Sequence, residues 1–506
     1  MYHSPVSLRP GTTRDTLGPI RPVVERIAGW SSRHRETAVF GWLLLVAALF
    51  AAARPPHLAP AGAAVTAAPA AAASSYRQEG TSLMTRTQVT SGRLPAPAGP
   101  FPRAGRKSQV LLFVLLALCL AISGLPSPLY GAYQREWGFS SLTLTVIFAV
   151  YALAALAALL VVGRLSDSIG RKPVLLTAQV MLLAGLGLFV AARSAGWLMA
   201  ARALHGAAIG SIAATAGAAL LDLRPAHGAV IGRLTGVALT FGMTAGVLGG
   251  ALLGQLVPDP LVTPYLVAAA AVVVSLSGTA LMPEPLRART ALNLRIRPRV
   301  PAQIRGPFWF AAASTAVTWS VLGLYLSLAP GLADQAVGSH NLLVGGTISA
   351  ALIGTGAVAQ LITQRAGALR LAIGGDLVLG IALLLSVTAV AAHSAWAMYL
   401  TAVVMGAGLG PAFNSSLRHL AAVIPAAERG QVMSAYYLTG YLSLAIPAVL
   451  AGLAATRFGL THTYVVFGAV VAITCGAAGW LGSRLAAERH RPDAEMRPAV
   501  DDTSRR

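Results

Sequence analysis

Residues 163–172 read Gly-Arg-Leu-Ser-Asp-Ser-Ile-Gly-Arg-Lys and lie between two long apolar runs. The set has a mechanical reading. Gly163 and Gly170 permit tight turns and close approach of helices. Asp167 is a short anion placed to meet the positive end of a neighbouring helix, or an arginine. A basic turn that only sets membrane orientation would explain Arg171 and Lys172, but not Asp167 or the glycines.

Other charged residues fall inside the apolar runs. Arg202 and His205 lie one helical turn apart. A cation within a membrane span is costly and by default marks a functional site. Arg202 also stands only a few residues from the outer end at Trp197, so snorkelling to the interface is the competing expectation. His205 could titrate near neutral pH, although a single helix histidine more often packs or hydrogen-bonds. Acids are scarce. Asp222 ends the fourth run, Asp376 is early in the ninth and Asp334 is near the outer end of the seventh. None is expected at mid-membrane, so no fixed cavity anion is evident. Asp222, or the Arg202–His205 pair, is the expectation for proton coupling.

Several chemistries have no supporting motif. There is no Gly-x-x-x-x-Gly-Lys-Ser/Thr phosphate loop. No His-Glu-x-x-His or Cys/His ligand cluster appears, and no Gly-x-Ser-x-Gly elbow. No metal, cofactor or enzymatic activity is expected. Cys119 and Cys475 both lie in apolar runs, which argues against a disulfide framework.

The elements that carry these residues are membrane helices. The chain has 506 residues, 56% apolar and 11% charged, where a soluble domain is roughly a quarter charged. Twelve runs of spanning length follow Gly105, near 109–132, 141–163, 173–193, 197–221, 229–256, 261–282, 308–331, 341–363, 370–392, 395–421, 431–455 and 460–482. Only helices satisfy their own backbone in lipid as separate spans, so the fold class is all-α and polytopic. The predicted organisation is an N-terminal half, 106–282, a cytoplasmic linker, 283–307, and a C-terminal half, 308–484. A poorly ordered extension, 1–105, precedes it, and a disordered tail, 485–506, follows. The net charge of +21 is placed in short loops and tails, as the positive-inside rule requires, and does not indicate nucleic acid. Counting loop arginines and lysines puts residues 163–172, the linker and both ends of the twelve-span unit in the cytoplasm.

The extension holds a short apolar segment, 37–53. It reads as a signal-like segment, as an interfacial helix, or as sequence ahead of a true start at Met84, the reading preferred here. Residues 22–54 weakly resemble the start of the MMPL family of mycobacterial-type lipid transporters.

Gly163, Leu165, Asp167, Gly170, Arg171 and Lys172 occupy every fixed position of Gly-x-Leu-x-Asp-x-x-Gly-Arg-Lys, a signature of the major facilitator superfamily. The resemblance covers about residues 106–484. It implies two six-helix halves, each of inverted three-helix repeats, that rock about a central site. It also implies that Asp167 latches onto the start of the eleventh span, near Arg429. The second-half loop, Ala359–Arg370, has Thr363 in the acidic position, so one strong latch is expected. Arg202 and Gly206 resemble the family's Arg-x-x-x-Gly signature, linked in proton-coupled members to coupling. Gly242, Gly246, Gly250 and Gly254 recur every four residues, a spacing that favours close packing. Their surroundings resemble the drug-antiporter signature Gly-Pro-x-x-Gly-Gly, with Val247 in the proline position and Gly249-Gly250 one residue early. The family's first, fourth, seventh and tenth spans line the pathway. Here that points to Ser127, Tyr130, Thr318, Trp319, Tyr325 and Asn414, joined by Tyr436 and Tyr437 of the eleventh.

The expectation is a secondary transporter of the bacterial inner membrane, a monomer in the lipid bilayer. It would export small lipophilic compounds against a proton current. Uptake of a small neutral or anionic metabolite is the first alternative, and a transporter-like receptor or scaffold the second.

Overall fold

A computed structural model describes residues 103–286, 288–292, 298–338 and 341–489. The apolar segment 37–53, with the rest of residues 1–102, lies outside the described residues, as does the tail beyond Arg489.

Fourteen α-helices and no strands occur among the described residues. In chain order they are α1 (Arg103–Gly124), α2 (Tyr130–Trp137), α3 (Ser141–Ile169), α4 (Arg171–Val190), α5 (Ala195–Leu223), α6 (Gly228–Leu256), α7 (Thr263–Leu281), α8 (Arg305–Ser327), α9 (Ala329–Val337), α10 (Leu342–Ile362), α11 (Ala368–Ala391), α12 (Ala395–Val423), α13 (Arg429–Phe458) and α14 (Leu460–Arg489). All but α2 and α9 are long and apolar enough to cross a bilayer, which makes twelve spans, as expected.

The two short helices extend the first and seventh spans. The first is interrupted at Leu125–Leu129, where Pro126 and Pro128 remove two backbone donors. The seventh is interrupted at Leu328, with Pro330 in the first turn of α9. This second break was not expected; the apolar run passes through it without a change in composition. The last helix continues to Arg489, five residues into the stretch expected to be a disordered tail. The residues from Leu485 to Arg489 are good helix formers.

Close packing of helices is set by glycine. A Cβ on Gly206 or Gly210 of α5 would run into the carbonyls of Tyr151 and Ala155 on α3. In the second half, Gly406 and Gly410 of α12 meet the carbonyls of Leu352 and Gly356 on α10 in the same way. The helices α5 and α12 are 29 residues each and start at residues 195 and 395, so the two glycine pairs hold identical positions. Without a hydrophobic drive between helices in lipid, such approach is what packing there depends on. The halves meet along α3 against α13 and α6 against α10.

Candidate functional site

The 163–172 loop is a tight joint. Gly170 ends α3 and starts α4 with φ +113°, a conformation that L side chains rarely adopt, and a Cβ there would stand 2.8 Å from Glu284 Oε2. Glu284 lies just past α7. Its carboxylate accepts from the backbone N–H of Arg171 at 2.8 Å and of Lys172 at 3.0 Å, and so caps the positive end of α4. The Arg171 guanidinium meets Asp167 at 2.6 Å and Asp222 at 2.9 Å, and donates to Ser166 Oγ at 2.6 Å. Thr290 N–H donates to the carbonyl of Asp167 at 3.0 Å.

In this structure Asp167 is engaged inside its own half, with Arg171 one turn away. Asp222 belongs to the same network and lies far from the Arg202–His205 pair. Asp222 and Arg202 are 20 positions apart on α5, roughly 30 Å along a helix.

Arg202 lies roughly 10 Å along α5 from its first residue and is 1% exposed. The snorkelling expectation is overturned, because the acceptors lie inward. Its Nε donates to Tyr130 Oη at 2.7 Å, and Nη1 to the carbonyl of Ser123 at 3.3 Å. The rings of Tyr151, Tyr130 and Phe189 surround the guanidinium at 5.1, 5.4 and 5.8 Å from their centroids. Such cation–π contacts are worth up to about 2 kcal/mol each when desolvated. His205 is buried beside it, against Tyr151 and Phe189. Neither of its ring nitrogens meets a hydrogen-bond partner among the described residues.

Asp376 is the residue that sequence reasoning passes over, because it stands near an apparent helix end. The structure places it 0% exposed, with Ser314 Oγ donating to its Oδ2 at 2.6 Å and, among the described residues, no partner for Oδ1. No ion pair of Asp376 is present among the described residues. The signal was available: an acid inside an apolar run is a functional hypothesis by default. What the sequence could not supply was the partner on α8.

The aromatic residues divide into two groups. Tyr130, Tyr325 and Tyr436 are buried and bonded inside a half. Tyr325 Oη is 3.1 Å from Tyr464 Oη, and Tyr436 Oη is 2.5 Å from Thr315 Oγ1. Thr318 Oγ1 donates to carbonyls of its own helix. Trp319, Phe413, Asn414, Tyr437 and Tyr441 are only partly buried. The Trp319 ring lies 5.9 Å from Phe413 and 5.0 Å from Tyr441, so these three rings form one aromatic cluster on α8, α12 and α13, while Tyr437 packs on Tyr436. Phe413 was not anticipated.

The halves are bonded to each other at the end away from the basic loops. Ser127 Oγ donates to the carbonyl of Leu326 at 2.7 Å. Arg135 pairs with Asp334 at 3.1 Å. Leu142 N–H donates to Thr456 Oγ1, and Leu342 N–H to Gln255 Oε1, both at 3.0 Å. Ser127 therefore serves in this seal.

The profile of the Major Facilitator Superfamily matches residues 111–365 and 308–501. No curated protein matches the sequence. The fold is similar to the crystal structure of the human organic anion transporter MFSD10 (TETRAN). The TM-score is 0.57 at 18% identity, over 76% of this chain and 100% of that one.

Proposed function

The chain belongs to the Major Facilitator Superfamily, and from that premise we propose that this multi-pass membrane transporter exports small lipophilic compounds in exchange for protons. The observation that carries the proposal is the aromatic surface of Trp319, Phe413 and Tyr441. It is partly exposed, and Asn414 is the polar group beside it. Such a surface suits apolar, polarisable cargo held by ring contacts. The titratable groups stand apart from it, with Asp376 held by Ser314 and His205 packed beside Arg202.

In this reading Asp376 is the proton-carrying group. Its carboxyl accepts one bond and keeps a second oxygen for a proton. The seal of Arg135, Ser127, Leu142 and Gln255 fits a state open towards the basic end, which we take to be the cytoplasmic face of a bacterial inner membrane. Asp167 would leave Arg171 and reach the start of α13 when that end closes. Substrate is bound and released by one protein molecule acting alone.

Everted membrane vesicles test the proposal. A lipophilic dye should be taken up when an inward-acid gradient is imposed, and nigericin should abolish the uptake. Uptake that is unchanged by collapsing the gradient would sink proton exchange. A panel of toxic lipophilic compounds that leaves expressing and non-expressing cells equally sensitive would sink export of that class.

A second reading is carried by Arg202. Among the described residues its guanidinium makes no ion pair, and a buried cation without a counter-charge attracts an anion. One solved structure of similar fold is that of a human organic anion transporter. Carriage of a small organic anion predicts that Arg202→Met loses accumulation of that anion while dye export persists.

A further inference from the structure

The internal repeat of this fold allows one half to be used as a template for the other. At the basic end of the first half, the start of α4 is filled by an internal anion. The Glu284 carboxylate accepts from the first two N–H groups of α4, and the Arg171 side chain is matched by Asp167 and Asp222. At the corresponding place in the second half, α11 begins at Ala368 with no side-chain cap. In front of it lies an open cleft of about 580 Å³, lined by Gly367, Arg370, Arg418, His419 and Ala486.

Among its described lining residues the cleft has cations and no acid. Position 422 of α12, which corresponds to Asp222 of α5, is Ala422, and it lines the cleft. Among the described residues Arg418 is held by one bond, from Nη2 to the carbonyl of Ala366 at 3.3 Å, and its Nη1 is buried with no partner. His419 is 5% exposed and set edge-on against Phe310. A buried guanidinium nitrogen without an acceptor costs free energy. A fork of arginine N–H groups beside an uncapped helix start is a site for a tetrahedral oxyanion.

We infer that this cleft binds a phosphate group from outside the chain, in the place that Glu284 fills in the first half. The group is either the headgroup phosphate of an anionic phospholipid or free phosphate. The cleft opens at the end of three membrane spans, where basic pockets meet lipid headgroups.

The full-length protein in a neutral detergent distinguishes the sources. Native mass spectrometry with phosphatidylglycerol reads retained lipid, and a thermal-shift assay with inorganic phosphate reads the free ion. The variants are Arg370→Gln, at an exposed position, and Arg370→Gln with Arg418→Gln. Arg299→Gln removes one charge elsewhere, as Arg370→Gln alone does within the cleft. A lipid site predicts retained phosphatidylglycerol that falls about tenfold in the double variant, the scale of one lost charge-assisted bond, and stays unchanged in Arg299→Gln. A free-phosphate site predicts a thermal shift that the double variant loses. The inference is overturned if neither probe binds, if both arginine variants bind as the parent does, or if Arg299→Gln loses as much as they do.

Discussion

The two halves share a packing scheme and differ in where they keep charge. Gly206 and Gly210 of α5 have their counterparts in Gly406 and Gly410 of α12, each pressed on a facing backbone. The ninth residue of α4 is Gln179, and the ninth of α11 is Asp376. Gln179 donates to Thr279 Oγ1 at 2.9 Å, where Asp376 accepts from Ser314. The first half thus places a neutral amide where the second places a carboxyl. Conversely, the first half buries Arg202, and the second has Ala402 at that position. At the basic end the first half meets the side chain of its arginine with two acids and its helix start with a third, and the second, among the described residues, leaves its arginines facing a cleft. The close packing is repeated in both halves, whereas the buried cation and the buried acid each occur in one half only.

The comparison can be broken most severely at the shared glycines. Gly210→Val and Gly410→Val should each cost about 3 kcal/mol or more, because backbone on the facing helix has to move. Both should abolish monodisperse protein in size-exclusion chromatography. If one is tolerated, the halves are not equivalent in packing. Asp376→Asn should leave a folded protein whose dye transport no longer responds to an imposed pH gradient. Adding Gln179→Glu to Asp376→Asn should not restore the response. Gradient-driven transport in Asp376→Asn at the parent rate would remove the chemical asymmetry.

Smaller effects sharpen the contrast at the basic end. Arg171→Gln should destabilise by about 2 kcal/mol, the scale of a hydrogen bond to a charged group, read as a lower Tm. Asp167→Asn removes a partly exposed one-turn pair and should change stability by less than about 0.5 kcal/mol, yet cut transport while the protein remains in the membrane. Unchanged transport would retire the latch. Lys172→Gln should be smallest of all, within about 0.5 kcal/mol, since Glu284 accepts from the backbone N–H of Lys172 rather than from its side chain.

Much of the architecture was legible in the sequence because bilayer thickness is a strong ruler. Runs of apolar residues between short basic loops marked twelve spans; Pro126 and Pro128 stand within the first, where α1 gives way to α2. The break at Leu328 was invisible, since Pro330 alone is compatible with a continuing membrane helix whose neighbours re-satisfy the freed backbone groups. Depth was the other failure. For Arg202 and Asp376 alike, distance from an apparent helix end is a poor guide. Burial depends instead on what neighbouring helices bring alongside, here Tyr130 and Ser123 for the cation and Ser314 for the acid. The loop at 163–172 was recognised residue by residue. Its present partners were not, because Asp222 and Glu284 come from far along the chain.

Glu284 has one more consequence, for the order in which the molecule is made. It follows α7 and precedes the linker, so the clasp on the start of α4 is complete before any of the second half has left the ribosome. Domains fold in the order of synthesis, the N-terminal one first. The first six helices therefore carry the means to lock as a unit while the remaining six are still being translated, and they offer the late-arriving α10 and α13 a finished surface on which to settle.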